Sequence, residues 1–367
     1  MKVLCNREKL HEALALATGV IPARSTKPVL ENVCIVAKDD EVEIVGTDLE
    51  VAFRYRMDGD DLTVDETGTT VIPARVTSDF VRDLTGEQVT LDVRDGTCTI
   101  TSGADRCELV TVDPDEFPSV SRFEGKGDFS MQAGTFTQLV GKTAFAAAKD
   151  AGRYAMHGIL VEIQDGQLRM VATDGRRMAL ATCPVECAKP PAPAIVPTKG
   201  MQFFSRVIDD PLDQVALHFT ETQLGMRTKR AEIFVRLIDG DFPRYAAVIP
   251  AETRNTLEAD TDLLGRKLRL VANVTGEDAR AVRFRLKKGE LELFGHSAGR
   301  GEANARMDVD YKGEDAEIAF NPDYFLDGVK NCETSVVRLQ FNDKTSPGKL
   351  DLGESYIYVV MPITVDT

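Results

Sequence analysis

The residues of this chain that could carry chemistry are few and scattered. Its four histidines stand at positions 11, 157, 218 and 296 and share no motif. The seven cysteines, at 5, 34, 98, 107, 183, 187 and 332, include no C-x-x-C. Cys183 and Cys187 lack a nearby histidine to complete a tetrahedral zinc site, so no metal and no cofactor is expected. Cys98 and Cys107 are expected to face each other across a hairpin turning at Ser102–Asp105, as buried thiols in a reducing compartment. Phosphate-binding and nucleophile-elbow patterns are absent. That leaves Asp48 and Asp174, each at the end of a strand-like run. A hydrolase could use such carboxylates, but no partner carboxylate recurs beside them, and Asp at a strand end commonly turns or caps the backbone. The expectation is a corner residue, twice, and no catalytic centre.

Those two aspartates belong to a repeat. Leu30–Asp48, Gly158–Asp174 and Arg280–Ser297 each read as strand, charged turn, strand and polar corner, and Val42, Leu168 and Leu291 fall at matching points about a third of the 367-residue chain apart. Val71-Ile-Pro-Ala-Arg75 is matched by Ile195-Val-Pro-Thr-Lys199 and more loosely by Phe320-Asn-Pro-Asp323; Asp115-Glu-Phe-Pro118 is matched by Asp239-Gly-Asp-Phe-Pro243. Self-similarity at a fixed period decides the architecture before any local detail. Three modules are expected, at 1–125, 126–252 and 253–367.

Alternating apolar residues such as Val89, Leu91 and Val93, or Val215, Leu217 and Phe219, predict half-buried antiparallel strands. Six short helical patterns lie between them. Their stripes are Leu10/Ala13/Leu14/Ala17, Val76/Phe80/Leu84, Phe136/Val140/Thr143/Ala147, Met201/Phe204/Ile208, Leu264/Leu268/Val271 and Phe325/Val329. Each module is then two copies of strand–helix–strand–strand–strand, an α+β domain with two helices on antiparallel sheets.

The net charge of −15 argues against a protein that coats nucleic acid indiscriminately. No apolar run reaches the roughly 20 residues of a membrane span, and the first residues lack a signal-peptide stretch, so a soluble cytoplasmic protein is expected. The helices nevertheless lean basic: Lys9 and His11 on the first, Arg75 and Arg82 on the second, Lys142 and Lys149 on the third, Lys199 and Arg206 on the fourth, Arg266, Lys267 and Arg269 on the fifth. Acids crowd the strands and turns instead, as in Asp39-Asp-Glu41 and Asp58–Asp61. Arg24 and Lys27 sit in a proline-stiffened loop, and Arg153 beside Gly152.

In family order along the whole length run Lys27-Pro-Val-Leu-Glu-Asn32, Gly46-Thr-Asp-Leu-Glu50, Ile72-Pro-Ala-Arg75, Val171-Ala-Thr-Asp-Gly-Arg-Arg177, Ile195-Val-Pro-Thr-Lys-Gly200, Asp239-Gly-Asp-Phe-Pro-Arg-Tyr245, Phe320-Asn-Pro-Asp-Tyr324 and Tyr358-Val-Val-Met-Pro362. In these stretches the chain resembles the bacterial sliding clamps, the beta subunits of the replicative DNA polymerase III holoenzyme. The resemblance implies three DNA-clamp domains forming half of a closed, head-to-tail homodimeric ring. Helices would line the hole and sheets would form the outer wall. Such a ring holds double-stranded DNA without sequence preference and is a non-catalytic processivity factor.

It also implies a hydrophobic groove between the second and third domains. That groove would take a short peptide of the polymerase alpha subunit, the clamp loader, and other polymerases and repair proteins. Carried onto this chain, the groove comprises Met156, Thr173, Gly175, Arg176, Arg177, Met178, Pro243 and Val248, with Asn321, Tyr324, Val359, Val360, Met361, Pro362 and Ile363. The DNA-facing set would be Arg24, Lys27, Arg75, Arg82, Lys149, Arg153, Lys199 and Arg206. Ala247 and Ala279 stand where relatives carry larger side chains, and the tail Thr364–Thr367 differs from the usual ending, so a shallower rim is expected. The ring joint would lie near Cys107 and Leu109, opposite Gly299–Asn304, with contacts unlike those of relatives. An adaptor that binds peptides without encircling DNA is the alternative.

Overall fold

Asn6 ends the first strand and starts the first helix: its side-chain oxygen accepts the Glu8 and Lys9 amides at 2.9 and 3.1 Å, satisfying donors that a helix start leaves unpaired. The helix, α1 (Arg7–Val20), buries Leu10, Ala13, Leu14, Ala17 and Val20, the expected stripe. Five more helices follow: α2 (Ala74–Asp83), α3 (Ala133–Thr143), α4 (Thr198–Val207), α5 (Thr261–Ala272) and α6 (Pro322–Lys330). Every strand pairing around them is antiparallel. The computed structural model describes residues 1–59, 62–150, 152, 154–276 and 280–364.

Several helix details differ from the sequence reading. In α2 the buried face is Ala74, Thr77, Ser78 and Val81, while Val76 is exposed and Phe80 half-buried. The apolar period misled because α2 packs through small residues, and it lies against α1. Helix α3 stops at Thr143, so Ala147 is buried beyond its end and Lys149 stands in the following loop. Ile208 likewise lies just past α4. In the hairpin Thr97–Ser102/Asp105–Val110, Cys107 pairs with Ile100 and Cys98 with Leu109. The two cysteines are diagonal rather than opposite, and all seven thiols are free.

Contacts divide the chain into two compact units. The first takes 1–137, 186–191 and 199–237; the second takes 138–185, 192–198 and 238 onward. The middle repeat is shared between them because sheets continue across module joints. In the first unit an eight-stranded sheet runs in the order 129–132, 214–219, 223–227, 231–236, 51–58, 41–47, 32–37, 68–73. Its central joint pairs Phe53 with Ile233. A five-stranded sheet completes the unit, ending on the edge strand Asp105–Val110.

The second unit repeats the plan. Its nine-stranded sheet runs 194–197, 158–164, 167–173, 177–184, 356–360, 348–353, 336–341, 255–260, 310–312, and its joint pairs Ala179 with Tyr358. A four-stranded sheet ends on the edge strand Gly301–Asp308. Where helix meets sheet the fit is tight. A side chain on Gly200 of α4 would put its Cβ 2.5 Å from Val235 in the first unit, and one on Gly328 of α6 would come equally near Tyr358 in the second. No helix among the described residues is long and apolar enough to cross a membrane.

Candidate functional site

The two aspartates that opened the sequence reading make the same corner. Asp48 Oδ1 accepts the Glu50 and Val51 amides at 3.0 and 2.7 Å, and Asp174 Oδ1 those of Arg176 and Arg177 at 2.8 and 3.0 Å. Before each, a threonine hydroxyl closes the loop: Thr47 Oγ1 donates to Val51 O and Thr173 Oγ1 to Arg177 O. The turn needs a left-handed residue next, which is Leu49 at φ 75° in one copy and Gly175 at φ 80° in the other. Glycine adopts that conformation without steric cost. At the second corner Gly175 lines open space beside the strand.

That space is an apolar pocket of about 90 Å³ in the second unit. Nine of the groove residues that the resemblance implies line it: Met156, Thr173, Gly175, Arg177, Met178, Pro243, Val248, Val359 and Met361. The floor is made by the joint itself, where Met178 pairs with Val359, over a buried cluster that includes Leu160, Val171, Leu180, Ile195 and Ile238. Met361 (36% exposed) and Val248 (37% exposed) form the open lip. Three thioethers around one small cavity make a lining that adapts its shape to different apolar side chains.

The remaining groove residues hold the rim rather than the cavity. Arg176 Nη1 donates to the Tyr324 hydroxyl at 3.2 Å, and the Arg176 carbonyl accepts the Met361 amide at 2.8 Å. Asn321 caps α6, accepting the Asp323 amide at 2.9 Å. Val360 is fully buried opposite Arg177. Pro362 bridges to Phe320 and the Ile363 amide donates to Ala319 O at 2.8 Å.

Arg177 organises the wall. Its guanidinium is buried against Asp174 and Asp327, donates to Phe145 O at 2.8 Å and lies 4.8 Å from the Tyr324 ring centroid. Burial works against its charge, but Tyr358, Asp327 and Asp174 keep it firmly protonated. Two lining residues escaped the sequence reading, Arg244 and Tyr245. Tyr245 anchors the 3₁₀ turn Tyr245–Val248 by donating its hydroxyl to Glu162. The Phe-Pro-x-Tyr spacing in 242–245 was the available signal. Ala247 is exposed on that turn; Ala279 and the last three residues of the tail lie outside the described residues.

Of the basic set, Arg24, Lys27, Arg75, Lys149 and Arg206 are exposed. Lys199 is exposed too but pairs with the Asp48 corner. Arg82 spends its charge on Asp79 and Asp83. Arg153 lies outside the described residues. No group of three or more potential metal ligands occurs among the described residues.

Comparison with known proteins gives this arrangement a family. The DNA polymerase III beta subunit profiles match in order: N-terminal domain over residues 1–121, central domain over 130–244 and C-terminal domain over 246–364. The beta sliding clamp of Salmonella typhimurium is 30% identical over 374 aligned residues, covering 99% of this chain and all of that protein. That of Escherichia coli is 31% identical with the same coverage. The crystal structure of the Pseudomonas aeruginosa beta subunit has a TM-score of 0.94 at 30% identity, with both chains fully covered. The Bacillus subtilis sliding clamp shares the fold, with a TM-score of 0.96 at 23% identity and both chains fully covered. The chain belongs to the DNA polymerase III beta subunit family, the beta sliding clamps, whose members are non-catalytic processivity factors of DNA replication.

Proposed function

We propose that two copies of this chain close head to tail into a ring around duplex DNA, with domains at 1–125, 126–252 and 253–367, and work in the cytoplasm. The observation that carries this is the strand order. At each joint inside the chain, the last strand of one module's first half pairs with the last strand of the next module's second half: 51–58 with 231–236, then 177–184 with 356–360. The third pair of that series would be 301–308 with 105–110. Within one chain these are sheet edges without partners among the described strands. Val110, on the second edge, is 79% exposed. An open strand edge seeks pairing, and a rule that needs three joints per chain is completed by a second copy joined at both ends, a closed cyclic assembly.

The register follows from the existing joints. Arg56 N–H donates to Arg230 O and Arg236 N–H to Glu50 O, which makes Phe53/Ile233 a non-hydrogen-bonded pair. Counting through the hairpins Gly46/Phe53, Gly295/Ala303, Met226/Ile233 and Ile100/Cys107, the matching pair across copies is Ala303 with Cys107. Neither is aromatic, so this joint rests on backbone pairing and small side chains.

Arg24, Lys27, Arg75, Lys149, Arg153, Lys199 and Arg206, with Arg82 contributing less, would meet phosphates loosely. The pocket at Met178, Val359 and Met361 takes an apolar anchor from an extended peptide of the polymerase alpha subunit, the clamp loader, or other polymerases and repair proteins. Loading onto nicked circular DNA tests the reading: the protein stays bound to the circle and leaves when the circle is cut. Equal retention on circular and linear DNA favours an adaptor that does not encircle.

A further inference from the structure

The joint in the first unit carries chemistry that the apolar pocket lacks. By register, Arg54 and Glu232 pair where the second unit pairs Leu180 with Ile357, and Ala52 and Phe234 pair where it has Met178 with Val359. The equivalent sheet face therefore repeats the place of the apolar pocket with opposite polarity. Phe53 points into the core, edge to face with Phe203 at 5.5 Å between centroids, so Arg54 and Arg56 stand on the other side of the sheet.

A cavity of about 210 Å³ opens there. Its floor is Glu43, with a side chain 4% exposed. Arg122 grips it through two hydrogen bonds of 2.9 and 2.8 Å, Arg54 through one of 2.8 Å and Lys38 through one of 3.0 Å. Burial alone would raise its pKa, but those cations overrule it and hold the carboxyl at about 2. Glu41 shares Lys38 at 2.9 Å, so two carboxylates answer three cations.

Arg56, Arg227, Lys229 and Arg230 add to the lining, against Glu41 and Glu232 within it; Arg56 also pairs with Asp58 at 3.0 Å and Lys229 with Asp213. Arg227 lies 4.6 Å from the Phe123 ring centroid, and Arg54 Nε is buried without an acceptor. In a chain of charge −15, this is a concentrated positive recess. Such a recess focuses field on anions, and guanidinium forks match oxyanions in a bidentate way. The volume corresponds to roughly seven waters at about 30 Å³ each, below the roughly 300 Å³ at which sites for larger organic ligands begin.

We propose that this recess binds a compact phosphate ligand, one or two phosphoryl groups, either free or as the end of a nucleotide. The proposal does not depend on the ring or on the peptide pocket. Calorimetric titration of the full chain with sodium diphosphate, at about 50 mM salt to limit screening, tests it. Saturable binding at one site per chain is expected, weakened by at least about tenfold, or 1.4 kcal/mol, in the double variant Arg56→Gln/Arg227→Gln. Arg56 sits opposite Glu43 across the strand pair, but neither side chain is among those that hydrogen-bond its carboxylate; Lys229→Gln, at a residue 75% exposed, provides a single-site check with a smaller loss. Lys312→Gln, in the other unit, leaves binding unchanged. ADP binding more tightly than diphosphate assigns the site to nucleotides; ADP binding no more tightly assigns it to free phosphate. Absence of saturable binding at millimolar diphosphate, wild-type affinity in both variants, or tighter binding of an oligoglutamate peptide or duplex DNA would overturn it.

Discussion

Replacing Ala303 with cysteine probes the proposed joint between copies with a residue that is already present. The register places Ala303 opposite Cys107 in a non-hydrogen-bonded pair, by analogy with Phe53/Ile233 and Ala179/Tyr358. Such pairs hold Cα atoms about 4.5 Å apart, inside the roughly 4.4–6.8 Å window of disulfides. Cys107 is a free, half-buried thiol, so Ala303→Cys supplies the missing partner twice per ring. Mild oxidation should convert the chain almost completely to a species of twice its 40.2 kDa mass on non-reducing gels, and further substitution of Cys107→Ser should abolish it. Asn304→Cys is the control: it faces Arg106 in the same register and projects from the opposite side of the sheet, so it should cross-link slowly. Cross-linking of Asn304→Cys as fast as that of Ala303→Cys would refute the register. A ladder of larger products would refute closure, because a head-to-tail contact that does not close grows into filaments.

Three further outcomes follow from the packing. Met361→Ala should weaken a partner peptide by about 1–2 kcal/mol, the scale of a partly buried methionine, while leaving sedimentation of the proposed dimer unchanged; fluorescence anisotropy measures the first effect. Glu43→Gln should cost about 3 kcal/mol at neutral pH, because it leaves buried Arg54 poorly compensated. Since the folded pKa of Glu43 is depressed from 4.5 to about 2, its contribution is full above the unfolded value and fades as pH falls toward 2. Urea melts of wild type and variant should therefore converge through that window. Gly200→Ala should destabilise by about 1–3 kcal/mol through overpacking against Val235; an unchanged urea midpoint would contradict the close approach.

The repeat was legible because corner chemistry is local. Thr47-Asp48 and Thr173-Asp174 must close the same turn with the same hydrogen bonds, so residue types persist where geometry does. The apolar groove residues were legible through the family resemblance, and nine of them do line one pocket. What failed was whatever depended on contact rather than pattern. Helix α2 buries Thr77 and Ser78, and no hydrophobic period reports such a small-residue face. Tyr245 joins the pocket because its hydroxyl finds Glu162, a partner 83 residues away. Glu43 carries no sequence signal of its own, since its cations Arg54 and Arg122 arrive from other segments. The sharing of the middle module between two units likewise arises from long-range pairing between strands 51–58 and 231–236, and between strands 177–184 and 356–360.

The proposed ring would hold the protein on DNA by enclosure. The most direct measurement is its lifetime on nicked circular DNA as salt rises. A protein held by six to ten phosphate contacts loses about 10³–10⁵ in affinity between about 50 and 200 mM salt. Enclosure predicts a lifetime on circles that changes little over that range and collapses at once when the circle is cut. A lifetime that falls with salt equally on circular and linear DNA would contradict it.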